Sequence, residues 1–229
     1  MEYFVDTADL AALRQVNERY PIEGLTTNPN LLAKAGVPLP ALLEDCRGYV
    51  RETGQMIFVQ VTAKDADEML AQAEALRAFF GENLVVKLPA VEEGYRACLL
   101  CKARGIRVCV TVIHSVTQAL MAARAGADYA APYVTHIDNN GADGVRCVEA
   151  MVNAFERYGS PCKVLGASFR TADQILRLAG VGCHAVTITP EMFRTLIAHP
   201  STDASLRGFD AAWRGAFGDS QITDFLPRV

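Results

Sequence analysis

Short apolar runs alternate with longer amphipathic segments along most of the chain. The apolar runs have the length and the bounding residues of buried strands, and the segments between them carry apolar residues at helical spacing. The predicted strands are 2–6, 24–27, 56–62, 84–89, 106–112, 127–133, 162–167 and 184–188. The predicted helices are 7–20, 39–52, 65–80, 91–104, 115–125, 141–158, 172–179 and 190–198, and one more should begin at Pro29 after an Asn28 N-cap.

Strands that are each followed by a helix predict a parallel sheet with helical crossovers. Eight such pairs in 229 residues favour an α/β fold, a closed (β/α)8 TIM barrel with an extra C-terminal helix, as a single domain over 1–229. An open, doubly wound sheet is the alternative. It is less favoured because the first turn, Asp6-Thr7-Ala8-Asp9, lacks the glycines of a phosphate- or dinucleotide-binding loop.

Composition narrows the class of protein. The chain is 51% hydrophobic and 21% charged, as in an ordinary globular protein, and its net charge of −4 argues against nucleic acid or an anionic membrane as a partner. No apolar run approaches the roughly 18 residues that a membrane span needs, and the first residues do not resemble a signal peptide. We therefore expect a cytoplasmic protein.

The cysteines do not indicate a metal site. Their number, seven, is odd, and they are scattered through predicted strands and helices, which suggests reduced thiols. Cys98 and Cys101 form a C-x-x-C pair, but they lie in a predicted helix and no second pair of ligands follows. Thiols that face the core are therefore favoured over a zinc or redox role, and no metal is predicted.

Polar side chains occur where the predicted strands end. In a barrel of this kind the chemistry takes place at the carboxyl ends of the strands, and the interior is otherwise filled with branched apolar side chains. The polar residues near these ends are Asp6, Thr26 with Asn28, Gln60, Lys87, Thr111, Tyr133 and Ser168. Each has an ordinary structural explanation on its own, such as a helix cap or a core aromatic residue. As a set they predict a polar pocket.

Lys87 is the candidate nucleophile. It lies in an otherwise apolar strand, 84–89, whereas the other four lysines fall on predicted helices or at the start of a strand. A buried ammonium costs several kcal/mol unless it is paired or loses its proton, and the neutral amine attacks carbonyl groups. The alternative is a lysine whose buried stem lets its amine reach water. Because both faces of a barrel strand are buried, and because Asp6 and Gln60 should be able to reach the amine in the lumen, the functional interpretation is favoured.

Six stretches of the sequence resemble the small transaldolases and fructose-6-phosphate aldolases. They are Val5-Asp6-Thr7-Ala8, Gly24-Leu25-Thr26-Thr27-Asn28-Pro29-Asn30, Phe58-Val59-Gln60-Val61, Val85-Val86-Lys87-Leu88-Pro89, Ala131-Pro132-Tyr133-Val134 and Gly166-Ala167-Ser168-Phe169-Arg170. The resemblance extends to Asp210-Ala211-Ala212-Trp213, almost the whole chain. It implies a class I, Schiff-base enzyme on an eight-stranded barrel, with neither a metal nor an organic cofactor.

The resemblance also assigns roles at the donor site. Lys87 would form the Schiff base with a dihydroxyacetone-type donor, and Asp6 would take the proton of the hydroxyl that reacts when the C–C bond breaks. Asn28 would hold the hydroxyls of the donor, and Thr26 would help to shape the site. The substrate would be a small sugar or sugar phosphate.

Three further residues bear on the type of reaction. By the resemblance, Gln60, Thr111 and Tyr133 would hold the catalytic water, and glutamine and tyrosine at these positions indicate the aldolase branch of the family. A transaldolase that transfers a dihydroxyacetone unit between sugar phosphates is the alternative with the same chemistry. A non-catalytic sugar-phosphate-binding protein is a third possibility, against which Lys87 and Asp6 argue.

One position departs from the aldolases. They carry an arginine for the substrate phosphate where this chain has His136, which leaves Ser168 and Arg170 as candidate phosphate contacts. Because an arginine is permanently charged and a histidine only near or below about pH 6.5, we expect a weaker preference for phosphorylated acceptors, with affinity improving as pH falls from 8 to 6. The alternative is that a neighbouring arginine supplies the missing charge.

The last predicted helix carries an apolar stripe. Phe209, Trp213 and Phe217 recur every four residues, and no further strand remains for them to cover. The stripe could pack on its own barrel. The resemblance implies instead that the helix and tail, 201–229, pack on a neighbouring subunit in a homo-oligomer, a pentamer or a decamer.

Overall fold

Eight parallel strands close into a barrel in the computed structural model, which describes residues 1–227. The strands are β1 (Glu2–Asp6), β2 (Gly24–Thr26), β3 (Met56–Gln60), β4 (Leu84–Pro89), β5 (Val108–Ile113), β6 (Tyr129–Pro132), β7 (Lys163–Gly166) and β8 (Ala185–Ile188). Each strand pairs with the next one along the chain, and β8 pairs with β1. The predicted (β/α)8 barrel is confirmed, and the alternative of an open sheet is wrong.

Helices follow every strand. They are α1 (Leu10–Asn17), α2 (Pro29–Lys34), α3 (Leu39–Thr53), α4 (Ala66–Phe80), α5 (Glu92–Ala103), α6 (Val116–Arg124), α7 (Val134–Asn139), α8 (Gly144–Arg157), α9 (Ala172–Gly180), α10 (Pro190–Ile197) and α11 (Pro200–Phe217). Short 3₁₀ turns occupy Gly81–Asn83 and Ile222–Phe225. Many helices begin at a short polar side chain that accepts a backbone N–H of the first turn, as at Asp9, Asn28, Asp65, Ser115 and Thr171.

The segment after β6 differs from the prediction. The predicted helix over 141–158 is present as α8, but the sequence did not predict α7 before it, and two aspartates lie where α7 ends and α8 begins. Asp138 Oδ1 accepts a hydrogen bond from the Gly144 backbone N–H at 2.7 Å, and Asp143 Oδ1 accepts one from Arg146 N–H at 3.0 Å. The extra helix starts directly after Tyr133 and so turns His136 back toward the mouth of the barrel.

Two layers of side chains fill the barrel lumen. The lower layer is an apolar cluster formed by Phe4, Phe58, Val85, Cys109, Tyr129, Ala131, Leu165 and Ala185. The Phe58 ring packs edge-on against Phe4 and Tyr129, with ring centroids 4.9 and 5.2 Å apart. Since side chains alternate along a strand, the residue two positions further toward the carboxyl end faces the lumen again. That rule places Asp6, Gln60, Lys87, Thr111, Tyr133 and Thr187 in the layer above.

The chain divides into two compact units, Met1–Phe193, which contains the barrel, and the residues from Arg194 onward. In the second unit the Trp213 ring packs on Phe217 and Phe225, with centroids 4.7 and 6.2 Å away, and Trp213 Nε1–H donates to the Ser220 carbonyl at 2.7 Å. Phe209 is 70% exposed. The single domain and the packing of 201–229 on a neighbouring subunit stay predictions, and 228–229 lie outside the described residues.

All seven cysteines are free thiols. Cys98 and Cys101 are buried in α5, and burial raises their pKa values to about 12 and about 11, so both stay protonated. This agrees with thiols that face the core. Within residues 1–227, no helix is both long enough and apolar enough to cross a membrane.

Candidate active site

A cavity of about 500 Å³ opens at the carboxyl ends of the strands, above the apolar layer of the lumen. It brings together most of the residues that the sequence predicted for the site: Asp6, Thr26, Asn28, Gln60, Lys87, Thr111, Tyr133, His136 and Ser168. Arg170 is not among the described residues that line it. That side chain is exposed, and its backbone N–H donates to Gln174 Oε1 at 2.8 Å, which helps to fix the start of α9.

Lys87 is buried at the floor of this cavity. Its side chain is 5% exposed, and its Nζ donates a hydrogen bond to the Thr27 backbone carbonyl at 2.8 Å. Burial lowers the pKa of the amine, and the negative charge of Asp6 only partly opposes that effect. The amine therefore does not reach bulk water, and its lowered pKa makes the neutral, nucleophilic form more accessible than in an ordinary lysine.

Asp6 lies across the lumen from the lysine. Its Oδ1 accepts a hydrogen bond from the Thr26 hydroxyl at 2.7 Å. Burial raises the pKa of this carboxyl group, while Lys87 and the Thr26 hydrogen bond oppose the rise. The sequence led us to expect that Asp6 and Gln60 reach the Lys87 amine. Among the described residues, however, Lys87 makes neither a hydrogen bond nor an ion pair with either of them. The two reactive groups thus face the same cavity without neutralising each other.

The Thr111 hydroxyl is buried and has no hydrogen-bond partner of acceptable geometry among the described residues. It nevertheless faces the Tyr133 hydroxyl closely enough to oppose the rise that burial causes in the pKa of that phenol. A buried hydroxyl without a partner costs about 1–3 kcal/mol unless a water or a ligand completes it. The geometry beside Tyr133 therefore suits a bound water molecule.

The backbone is strained beside this hydroxyl. Val112 has a φ of +61°, a left-handed conformation that costs a β-branched residue about 1–3 kcal/mol, and the pairing of β5 with β6 shifts register between Val110 and Ile113. Ser168, two residues after the end of β7, also has a φ of +61°. Strained backbone thus occurs at two positions that line the cavity, where it aims side chains and backbone groups at the site.

Asn28 serves both the fold and the cavity. Its Oδ1 accepts the Leu31 backbone N–H at 3.0 Å, so it is the N-cap that the sequence predicted for α2. The same residue lines the cavity, and the cap does not use its side-chain amide nitrogen. The structural and functional interpretations of this residue are therefore compatible.

Sequence reasoning did not select one residue that lines the cavity, Thr187, and one that packs against its lining, His114. Thr187 of β8 lines the cavity, and the strand-end rule that found the other residues would have found it too. His114, directly after β5, stacks on His136 with ring centroids 5.7 Å apart, and Tyr133 packs edge-on against both rings. No signal in the sequence joins His114 to His136, because the stacking depends on how α7 returns to the rim.

Known proteins resemble the chain over nearly its whole length. The profile described as "Transaldolase/Fructose-6-phosphate aldolase" matches residues 3–223. A probable transaldolase of Geobacter metallireducens is 35% identical over 213 residues, which are 93% of this chain and 98% of that protein. Probable transaldolases of Chelativorans sp. and Roseobacter denitrificans are each 34% identical over 213 residues, again 93% of this chain and 96% of each relative. The chain belongs to the transaldolase/fructose-6-phosphate aldolase family.

Proposed function

We propose that the protein is a class I aldolase that makes or cleaves a C–C bond between a dihydroxyacetone-type donor and an aldehyde or aldose phosphate. The observation that carries the proposal is the environment of the Lys87 amine. Its amine is buried, is bonded to a neutral carbonyl and borders a cavity that also contains a carboxyl group. Burial in that environment lowers the pKa of the amine and so favours the nucleophilic form, whose natural target is a ketone.

The reaction begins with attack of the neutral Lys87 amine on the donor ketone. The addition product loses water and leaves an iminium, in which nitrogen is doubly bonded to the former carbonyl carbon. Because the hydrogen bond to the Thr27 carbonyl holds one N–H, the nitrogen lone pair is directed away from that carbonyl. This orientation lowers the entropy cost of the attack.

Bond cleavage then uses the Asp6 carboxylate as a general base. It removes the proton of the hydroxyl on the carbon beyond the bond that breaks. The aldehyde C=O forms as the C–C bond breaks, and the bonding electrons move into the iminium to give an enamine. Burial raises the pKa of this carboxyl group and so brings it closer to the working pH. The group is therefore a better base for this step than an ordinary aspartate.

Release of the free donor requires a proton on the enamine carbon. A water molecule held by Gln60, Thr111 and Tyr133 is the proposed source, and the unpartnered Thr111 hydroxyl supports its position. Hydrolysis of the resulting iminium returns the ketone and the free amine. Synthesis of the C–C bond follows the same steps in reverse.

A transaldolase is the second candidate, and the names of the related proteins favour it. The two reactions share the Schiff base and differ in the fate of the enamine, which a transaldolase passes to a second aldehyde. Glutamine at position 60 and tyrosine at position 133 support the aldolase, because together they can hold the water that protonates the enamine.

Borohydride reduction with dihydroxyacetone tests the Schiff base. The expected result is a covalent three-carbon adduct on Lys87, found by peptide mass spectrometry. An unmodified Lys87 under conditions in which the protein is folded would refute the proposal. With fructose 6-phosphate, release of free dihydroxyacetone that exceeds transfer to erythrose 4-phosphate would then support the aldolase, and the opposite order the transaldolase.

A further inference from the structure

Thr187 connects β8 to the donor side of the cavity. It is 6% exposed, and its Oγ1 lies 2.6 Å from the Oγ1 of Thr26, a residue 161 positions earlier in the sequence. The contact exists because β8 pairs with β1, which closes the barrel and places β8 and β2 on either side of β1, with the two threonine side chains meeting in the lumen. Thr26 in turn donates to Asp6 Oδ1.

The direction of this chain of hydrogen bonds follows from counting protons. A threonine hydroxyl has a single proton to donate and two lone pairs that accept. The Thr26 hydroxyl gives its proton to the Asp6 carboxylate, so toward Thr187 it can only accept. Thr187 is therefore the donor at 2.6 Å, and the order of donation is Thr187 to Thr26 to Asp6.

We propose that Thr187 is a positioning residue for the C–C cleavage step, since its donated hydrogen bond fixes the Thr26 hydroxyl as a donor to Asp6 Oδ1. A hydroxyl that accepts one hydrogen bond donates the next one more strongly. With Oδ1 held in this way, Oδ2, which no described residue hydrogen-bonds, is the oxygen left to receive the substrate proton. The inference rests on the proposed function, because that function makes Asp6 the base.

Substitution by valine removes the hydroxyl and keeps the shape of the side chain. In Thr187→Val we expect kcat for cleavage to fall about fivefold, the value of one net hydrogen bond, because the lost orientation of Asp6 outweighs the small gain in its basicity; KM should change less than about twofold. The acid limb of the kcat profile should move up by about half a pH unit, because the Asp6 carboxylate loses stabilisation. Thr187→Ser keeps the hydroxyl and should restore both the rate and the profile. Thr187→Ala serves if the valine variant does not fold.

A matched control removes a hydroxyl elsewhere. Thr53 Oγ1 donates to the Tyr49 carbonyl at 2.8 Å at the end of α3, outside the cavity lining. Thr53→Val should therefore change thermal stability without moving the pH profile. If Thr187→Val keeps the wild-type profile, or if Thr187→Ser shifts it as far as Thr187→Val does, the proposal is overturned.

A second measurement separates this inference from the proposed function. Titration of the Asp6 carboxyl carbon by ¹³C NMR requires no turnover, and its pKa should be higher in Thr187→Val than in wild type. If wild type forms no borohydride adduct while that rise is found, the proposed function fails and the positioning of Asp6 stands. If the adduct forms and the Asp6 titration is the same in both proteins, the positioning role fails alone.

Discussion

Each end of the barrel contains a lysine and a carboxylate, but the two groups form an ion pair at the amino end and none at the carboxyl end. At the amino end, Lys163 forms an ion pair with Glu2, and the Tyr129 hydroxyl donates to the other Glu2 oxygen at 3.0 Å. At the carboxyl end, Lys87 donates to a neutral carbonyl and is not ion-paired with Asp6. The Lys163 side chain is 43% exposed, whereas Lys87 is buried.

The contrast shows how the fold separates stability from chemistry. A lysine that is ion-paired and partly hydrated is stable as an ammonium, and its ion pair contributes modestly to the stability of the fold. A buried lysine without a direct counter-ion costs free energy as an ammonium, and that cost favours the reactive amine. Polar groups at the amino end have partners, and those at the carboxyl end keep unused hydrogen-bonding capacity for a substrate.

The largest effect is expected from removing the reactive amine. Lys87→Met keeps the length and the apolar stem of the side chain, and it should lower the rate of cleavage by about 10⁴-fold or more and abolish the borohydride adduct. Adduct formation should survive in Lys163→Met, the matched control at the other end. An adduct of undiminished yield in Lys87→Met would show that the chemistry lies on another amine.

The next largest effect is expected from removing the Tyr133 hydroxyl, which lies beside the unpartnered Thr111 hydroxyl. Tyr133→Phe should lower the release of free dihydroxyacetone about 10²-fold, because it removes the phenol that holds the proton-donating water. The amount of adduct trapped on Lys87 should change little, since formation of the iminium does not need that proton. Equal losses in release and in trapping would mean that Tyr133 shapes the cavity as a whole.

The comparison also predicts a gain in stability at the reactive end. Lys87→Met should raise the free energy of unfolding by about 2 kcal/mol at pH 7, because a buried amine without a counter-ion is replaced by an apolar side chain. The pKa of Lys87 in the folded protein lies below its usual value of 10.5, so between these two values the unfolded chain binds more protons. Wild-type stability therefore rises with pH across that range, and the advantage of the variant should shrink as pH approaches 10.5.

Denaturation of wild type and Lys87→Met in urea at a series of pH values measures this difference. Because the same substitution is compared at every pH, the titration of other groups cancels to a first approximation. A difference that stayed constant from pH 7 to 10 would contradict a depressed pKa for Lys87.

A permanent cation at the mouth of the cavity should alter how tightly the site binds phosphorylated acceptors. The charged or titratable lining groups near it are Asp6, Lys87, Tyr133 and His136, and no arginine lines the cavity among the described residues. For a phosphorylated aldehyde, His136→Arg should lower KM about tenfold at pH 8, because a guanidinium is permanently charged and can bind the phosphate through two hydrogen bonds.

Two controls accompany the histidine variant. An acceptor without phosphate should show no such fall in KM, and the comparison of variant with wild type at each pH removes the titration of the phosphate ester itself. If wild type binds the phosphorylated acceptor as tightly as His136→Arg at every pH, another cation supplies the charge.

The smallest effect is expected at the amino end. Lys163→Met breaks the ion pair with Glu2 and should lower the free energy of unfolding by about 1 kcal/mol, since the pair is only partly buried. Thermal unfolding measures the loss, and kcat should stay within about twofold of wild type. A large loss of kcat would show that the two ends of the barrel are coupled.

Strand-end polarity in the sequence was sufficient to find most of the residues that line the cavity. The rule succeeds because parallel strands end at the same rim of the barrel. Asp6 and Lys87 therefore face the same cavity even if the strand boundaries are predicted with an error of a few residues. The family resemblance, not this rule, added Arg170 to the site, and that side chain lies outside the lining because four residues beyond the end of β7 the loop is free to turn away. The rule passed over Thr187, which carries the same signal, and it could not foresee α7, whose separation from α8 depends on Asp138 and Asp143.

The sequence by itself determined the alternation of strands and helices, the end of the barrel that carries the chemistry and the lysine that is buried there. All three depend on spacing along the chain and on the cost of burying a charge. The tertiary structure decided which polar groups are satisfied: Lys87 by the Thr27 carbonyl, Asp6 by Thr26 and, through it, Thr187, and Thr111 by no described residue. Those outcomes depend on distances of a few tenths of an ångström across the lumen, which are set only when β8 pairs with β1 and the barrel closes.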